Sequence, residues 1–330
     1  MNVSRREFGL GAALLGMAGL GGTPALAGSR GSAHRLARGL QLGVQTYSFR
    51  DMLPTPGDMV TKMIAGCHAA GLSSVELFEP TIQPPAFSAD APWAVVAGKP
   101  TEASLYGRPP EGPKPASALA LREEVRAWRL NTPLSHFQAI GARFRAAGIA
   151  VQAFNFGLKE DCTDAEVERG FAMAKALGTR IMTASTTLKM AERTVPFAAR
   201  HHVLLGLHGH SNLHDPNQFA TPDSFEKGLA MSPSYRINFD IGHFAAAGFD
   251  VSAFLEKHHE RIVSVHLKDR KLHEGANMQF GQGDTPIREV VRAIVRHGWP
   301  IPAMLEYEYA GADSVTELRR MKDYVRAALA

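Results

Sequence analysis

Residues 203–210 read Val-Leu-Leu-Gly-Leu-His-Gly-His, residues 236–243 Arg-Ile-Asn-Phe-Asp-Ile-Gly-His, residues 261–269 Arg-Ile-Val-Ser-Val-His-Leu-Lys-Asp and residues 301–306 Ile-Pro-Ala-Met-Leu-Glu. Each is a short, largely apolar run that ends in an imidazole or a carboxylate. Runs of this length and composition suit buried strands. Helical patterns separate them, at Pro222–Ala230, Val251–His259 and Ile287–His297. Strands that alternate with helices imply a parallel sheet joined by crossover helices.

The same alternation runs outward in both directions. Upstream, strands are expected at Gln41–Phe49, Ser74–Phe78, Ile149–Phe156, Arg180–Ala184 and Val203–His208. Helices are expected at Pro56–Ala70, Leu134–Ala147, Asp164–Leu177 and Leu188–His201, with Gly71, Gly148 and Gly178 as closing residues. Downstream, strands at Arg236–Asp240, Arg261–Leu267 and Ile301–Glu306 follow, and Ser314–Ala328 is a last helix. Eight strands and eight helices make a (β/α)₈ TIM barrel spanning residues 40–330. A doubly wound open sheet is the alternative, but the turn after the first strand, Thr46 to Asp51, has no glycine for a phosphate loop.

Three segments stand outside that rhythm. Residues 1–27 have a leader pattern: Ser4-Arg5-Arg6-Glu7-Phe8 is a twin-arginine motif, Gly9–Gly22 is apolar, and Ala25-Leu26-Ala27 is a small-x-small cleavage site. A linker is expected at 28–39, and the barrel protein is expected to be periplasmic or secreted. Residues 79–117, rich in Pro, Gly, Ala and Ser, form an insertion after the second strand, read as a lid or packing flap. A charged helix, Ala118–Leu130, comes next.

The bulk composition excludes several function classes. With 36 basic and 32 acidic residues the net charge is only +4, and no basic block interleaves with aromatics, so a nucleic-acid partner is not expected. No stretch after residue 30 is apolar enough to span a membrane. Two cysteines, Cys67 and Cys162, do not make a disulfide scaffold and are read as small buried hydrophobes, their pairing left open.

In a barrel of this kind chemistry collects at the C-terminal ends of strands. The polar residues there are Glu76 and Glu79, Gln152 and Asn155, His208 and His210, Asp240 and His243, His266, Lys268 and Asp269, and Glu306 and Glu308. Four successive strands thus end in His, Asp, His and Glu. Such a set suits one divalent ion, Mn, Co, Zn or Fe, better than Mg. An ion of this kind stabilises the charge of an enediolate formed beside a sugar carbonyl, while a neighbouring base takes the proton. Gly281-Gln282-Gly283-Asp284 precedes a helix, and its backbone N–H groups would approach an anion there or simply form a turn toward Pro286.

These strand ends resemble the sugar isomerase/epimerase superfamily of xylose isomerase-like barrels, which includes endonuclease IV. The resemblance covers residues 40–328 and is carried by Gly43-Val44-Gln45-Thr46-Tyr47-Ser48, Ser74-Val75-Glu76-Leu77, Leu207-His208-Gly209-His210, Phe239-Asp240-Ile241-Gly242-His243, His266-Leu267-Lys268-Asp269 and Leu305-Glu306. It implies a metal held by Glu, Asp, His and Glu, as in ketose 3-epimerases. Asp240, His266 and Glu306 match three of these, and His208 stands where the first Glu belongs. His210 matches the histidine of the Glu-Asn-His turn, and His243 matches a substrate-contacting histidine. The ligand set expected here is His208, Asp240, His266 and Glu306. Acid/base work falls to Glu306, His208 and His243, and substrate contacts to Glu76, Gln152, His210 and Lys268.

The function expected on these grounds is an exported, metal-dependent sugar isomerase or epimerase acting on an unphosphorylated sugar or glycoside, with a homo-oligomer left open. A lyase acting on 3-keto-glycosides with the same metal and base is the alternative. A non-catalytic sugar-binding barrel and an abasic-site endonuclease rank below it.

Overall fold

A computed structural model describes residues 39–88 and 116–330. The expected leader at 1–27, all but Gly39 of the linker, and residues 89–115 of the insertion lie outside the described residues. Eight parallel strands close into a barrel: β1 (Leu42–Gln45), β2 (Ser74–Phe78), β3 (Ala150–Asn155), β4 (Ile181–Ser185), β5 (Leu204–His208), β6 (Tyr235–Asp240), β7 (Ile262–Leu267) and, after the two-residue strands β8 (Asp269–Arg270) and β9 (Asn277–Met278), β10 (Ala303–Leu305). Each barrel strand pairs with its sequence neighbour, and β10 closes against β1 with Val44 opposite Leu305. The expected (β/α)₈ barrel is therefore the observed fold.

Around the barrel run α1 (Met59–Ala70), α2 (Ala116–Asn131), α3 (Leu134–Ala146), α4 (Asp164–Leu177), α5 (Leu188–His201), α6 (Pro222–Met231), α7 (Ile241–Ala246), α8 (Val251–His258), α9 (Ile287–His297) and α10 (Ser314–Leu329). Local signals place their ends. Thr163 and Glu166 form a reciprocal capping box at the start of α4, and Gly178 closes it at φ 93°. The fit of helix to helix is close: a Cβ on Gly141 in α3 would meet the Leu177 carbonyl oxygen at 2.2 Å. Because helices cover one face of every strand and side chains fill the other, the strands read as continuous apolar runs.

The first strand is shorter than expected. It ends at Gln45, and Thr46–Met52 winds into a 3₁₀ helix instead of extending to Phe49. The Gln45 side chain accepts from the Tyr47 N–H at 3.3 Å and turns the chain over the barrel mouth. Ser48 there donates to the Leu305 carbonyl and accepts from the Tyr307 N–H at 3.0 Å, tying the first strand's loop to the last strand. The first helix begins at Met59 rather than Pro56, because Asp58 caps the Thr61 N–H at 2.8 Å. The last strand likewise contracts from Ile301–Glu306 to Ala303–Leu305. The short helix α7 and the hairpin β8–β9 were not expected.

Cys67 and Cys162 are both buried and unbridged. Among the described residues no helix is long and apolar enough to cross a membrane.

The helix after the insertion is clamped to the barrel by charge. Arg122, Arg126 and Arg129 lie one to two turns apart on α2 and all reach Glu166, at 2.8, 2.9 and 3.1 Å. Arg129 also grips both oxygens of Glu79 at 2.7 and 2.6 Å. Glu79, at the end of β2, is therefore spent on this clamp. Burial alone would raise the Glu166 carboxyl, but the Thr163 N–H, Arg126 and Arg122 outweigh it and hold the group at about 2. Its stabilisation is complete above the ordinary carboxylate value and drains away as pH falls toward about 2. Replacing Arg129 by Met leaves two buried carboxylates short of a partner and is expected to cost about 3–5 kcal/mol. Denaturant midpoints check this, and an unchanged midpoint would remove the clamp from the account. Glu166→Gln is expected to flatten the acid limb of the stability profile.

Candidate active site

Parallel strands put alternate side chains into the barrel. At the level of Glu76 this brings polar groups from six strands together. Glu76 Oε1 accepts from Gln45 Nε2 (3.0 Å), Thr183 Oγ1 (2.7 Å), Asn238 Nδ2 (2.9 Å) and Asn155 Nδ2 (3.4 Å). Its Oε2 lies 2.9 Å from His266 Nε2. Glu76 is fully buried, and its oxygens are taken up by protein. The expected substrate contact of Glu76 is thus corrected to an orienting role: it aims the His266 ring.

The other side of that ring faces the strand-end carboxylates. His266 Nδ1 is 3.0 Å from Glu306 Oε2 and 3.9 Å from Asp240 Oδ2. Asp240 and His266 are register partners on β6 and β7. Burial would lower the His266 ring's pKa, but Glu76 and Glu306 raise it well above the ordinary histidine value. Glu306 would be raised by burial and is instead held well below the carboxylate range by Lys268 and His266. Lys268 Nζ sits among three carboxylates, 3.0 Å from Asp240 Oδ2, 3.0 Å from Glu306 Oε2 and 2.8 Å from Glu308 Oε2.

Three more imidazoles border this cluster. The His208 ring centre is 4.9 Å from that of His266 and 5.0 Å from that of His210, and His210 is 4.8 Å from His243. Burial, first, and neighbouring positive groups hold all three well below the ordinary histidine value, so they are neutral. The tautomer of His243 follows from its partner. Arg270, buried and always protonated, donates to His243 Nδ1 at 2.6 Å. The His243 proton therefore sits on Nε2, which lies 4.0 Å from Asp240 Oδ2. His243 is a hydrogen-bond donor toward the cluster.

Among the described residues two groups offer metal-ligating atoms within 4.8 Å of one another: His208, Asp240 and His266, and His208, His210 and His243. The first fits a divalent ion. Its donors are imidazole and carboxylate, Glu306 stands beside it, and the buried His208 Nδ1 has no hydrogen-bond partner among the described residues. The second fits poorly, because an ion on His243 Nε2 would push a proton to Nδ1, against the Arg270 guanidinium. The expected ligands His208, Asp240, His266 and Glu306 are thus gathered at one place, with His243, His210 and Lys268 around them.

Gln152 is not part of this group. It lies three residues before Asn155, on the opposite parity of β3, and is half-buried. Asn155 is the β3 residue that reaches the interior. The glycine loop also resolves: its anion is internal. Asp269 accepts from the N–H groups of Gly281 (2.7 Å), Gly283 (3.0 Å) and Thr285 (3.2 Å). A Cβ on Gly283 would meet Asp269 Oδ1 at 2.0 Å. The sequence reading gave no role to Thr183, Asn238, Arg270 or Glu308; strand parity was the available signal for Asn238, and Arg270 and Glu308 share a parity with Lys268 and Glu306.

The sequence profile described as xylose isomerase-like TIM barrel matches residues 133–327, more than half of the chain and including every strand-end residue from Gln152 to Glu306. The chain belongs to the xylose isomerase-like TIM barrel family. An L-ribulose-5-phosphate 3-epimerase, UlaE of Escherichia coli, is 28% identical over 100 residues, which are 30% of this chain and 35% of the epimerase. The similarity thus spans about a third of that relative's length. The probable 3-DHS dehydratase AsbF of Bacillus anthracis superposes with a TM-score of 0.57 at 13% identity, covering 86% of this chain and 98% of AsbF. The IolI protein, whose structure has a bound zinc atom, gives the same score and identity over 88% of this chain and 98% of IolI. At such identities the two structures share the xylose isomerase-like fold with this chain and no more.

The hydrogen-bond pattern sets an observable protonation state. Long-range ¹H–¹⁵N spectra of the metal-free protein at neutral pH are expected to show His266 doubly protonated and His243 as the neutral Nε2–H tautomer. A proton on His243 Nδ1 would refute the Arg270 contact.

Proposed function

We infer that this protein is an exported, divalent-metal-dependent sugar isomerase or epimerase that moves a proton next to a carbonyl. The observation that carries this reading is the convergence of His208, Asp240, His266 and Glu306 at the C-terminal rim of a xylose isomerase-like barrel. The name of the epimerase relative supports the reaction class. Those four side chains would hold the ion, and an ion held there would stabilise negative charge on the sugar oxygens as the proton leaves.

The chain's own groups divide the remaining work. Glu306, held as a carboxylate by Lys268 and His266, is the proton acceptor. Glu76 keeps the His266 ring in place from behind. The His243 Nε2–H, fixed by Arg270, donates to a substrate oxygen. His210 and Lys268 border the same space and orient the sugar.

The test is proton exchange. Protein loaded with Mn²⁺, Co²⁺ or Zn²⁺ is expected to exchange a C–H proton of a keto sugar with D₂O, and Glu306→Gln to slow this by about 10²–10⁴-fold. Metal content is measured on both proteins, because Glu306 also serves as a ligand. A loaded protein that exchanges nothing across free and phosphorylated keto sugars would sink the proposal. Elimination from a 3-keto-glycoside is the second reading, favoured by His243, a fixed proton donor suited to a leaving oxygen. Release of the aglycone distinguishes it. Export rests on the pattern of residues 1–27, and the mature periplasmic protein is expected to begin at Gly28; an intact leader on all of the protein would count against it.

A further inference from the structure

One positive group lies against two of the four expected ligands. Lys268 is only 2% exposed, and its ammonium pairs with three carboxylate oxygens, at 3.0 Å from Asp240 Oδ2, 3.0 Å from Glu306 Oε2 and 2.8 Å from Glu308 Oε2, although Asp240 Oδ2 accepts no hydrogen bond among the described residues. Two of the three, Asp240 Oδ2 and Glu306 Oε2, belong to the set that would hold an ion. Asp240 Oδ1 accepts the His243 N–H at 2.8 Å and caps α7, which leaves Oδ2 as the oxygen turned toward His266 and Lys268. Ion and ammonium therefore contend for the same atom.

The third carboxylate is different. Glu308 is not one of the expected ligands, and its Oε2 also accepts from Asn277 Nδ2 at 3.1 Å, on the β8–β9 hairpin. Its contact with Lys268 is the shortest of the three. Charge also permits both cations at once. Glu76, Asp240, Glu306 and Glu308 are four buried carboxyls, and because His266 gives up its Nδ1 proton when it ligates, one ammonium and one divalent ion then bring three positive charges against them. Lysine is long enough to give up two partners while keeping the third.

Building on the metal reading above, we propose that Lys268 is an internal stand-in cation, which holds Asp240 and Glu306 in ligand position before loading and is handed to Glu308 when a divalent ion arrives. Glu308 is the retaining carboxylate for the ammonium, and Lys268 then faces the substrate side of the site from that anchor. The carboxylates are kept from repelling one another in the unloaded protein, and the ion binds against an internal competitor. Lys268 is a positioning residue in this scheme, acting on the ligands and on metal affinity.

The experiment measures Zn²⁺ and Mn²⁺ affinity by calorimetry, and Tm with and without metal, on chelator-stripped full-length protein. Lys268→Met is expected to lower Tm by several degrees without metal, to bind metal at least tenfold more tightly than the wild type, and to recover wild-type Tm when loaded. Glu308→Gln keeps the lysine but removes its refuge, and is expected to bind metal several-fold more weakly. Adding Lys268→Met to Glu308→Gln is expected to abolish that weakening. If Lys268→Met binds metal no more tightly than the wild type, the competitor role is overturned. If Lys268→Met does not fold, Glu308→Gln decides alone: an unchanged affinity overturns the hand-over. A wild-type protein that binds no metal overturns the metal reading and the inference together, an outcome distinct from a wild type that binds and variants that do not differ.

Discussion

The site depends on one buried carboxylate, Glu76, in the centre of the barrel. Its two oxygens collect donors from β1, β3, β4, β6 and β7, so a single side chain on β2 links six of the eight strands. A carboxylate out of water is tolerated only when its lone pairs are filled and its charge is matched. Gln45, Asn155, Thr183 and Asn238 satisfy the first condition, and His266 the second. The same contact that satisfies Glu76 points His266 Nδ1 at Asp240 and Glu306.

From that fixed ring the charges alternate outward. The Glu76 carboxylate faces the positive His266, then come Asp240 and Glu306, then the Lys268 ammonium, and last Glu308, whose carboxyl is pushed up by burial while Lys268 pulls it back, all buried. Low dielectric makes each contact strong and each missing partner costly. The arrangement is therefore stiff, which suits a site that must hold donors ready for a cation. The three neutral histidines lie at its edge, where burial and nearby positive charge keep them unprotonated. Arg270 adds direction by deciding which His243 nitrogen has the proton.

The alternation of apolar runs and helical patterns made the barrel legible, because period and length report burial directly. Helix ends were legible where a glycine closes them, after α1 and α4; the cap that starts α4, Thr163 with Glu166, was not expected. The end of β1 was not legible, since Thr46–Phe49 keeps a strand-like composition and turns only because Gln45 accepts from the nearby Tyr47 N–H and Ser48 finds partners on the backbone of the last strand's end. On β3 both polar residues were visible, but parity chose Asn155 over Gln152. Glu79 looked like a site residue until Arg129, fifty positions later, took both its oxygens. The glycine loop at Gly281–Asp284 looked like an anion site and is one, with Asp269 as its anion.

Sequence alone determined that eight strands alternate with helices and that His208, Asp240, His266 and Glu306 end neighbouring strands, because both follow from local periodicity and from the rule that parallel strands share one direction. Only the tertiary structure decided which way each polar group faces and what it meets. Glu76 was assigned to substrate and belongs to His266; Lys268 was assigned to substrate and rests among three carboxylates. These are contacts across 28 to 190 residues of chain, between side chains brought together by barrel closure, and no local pattern encodes them.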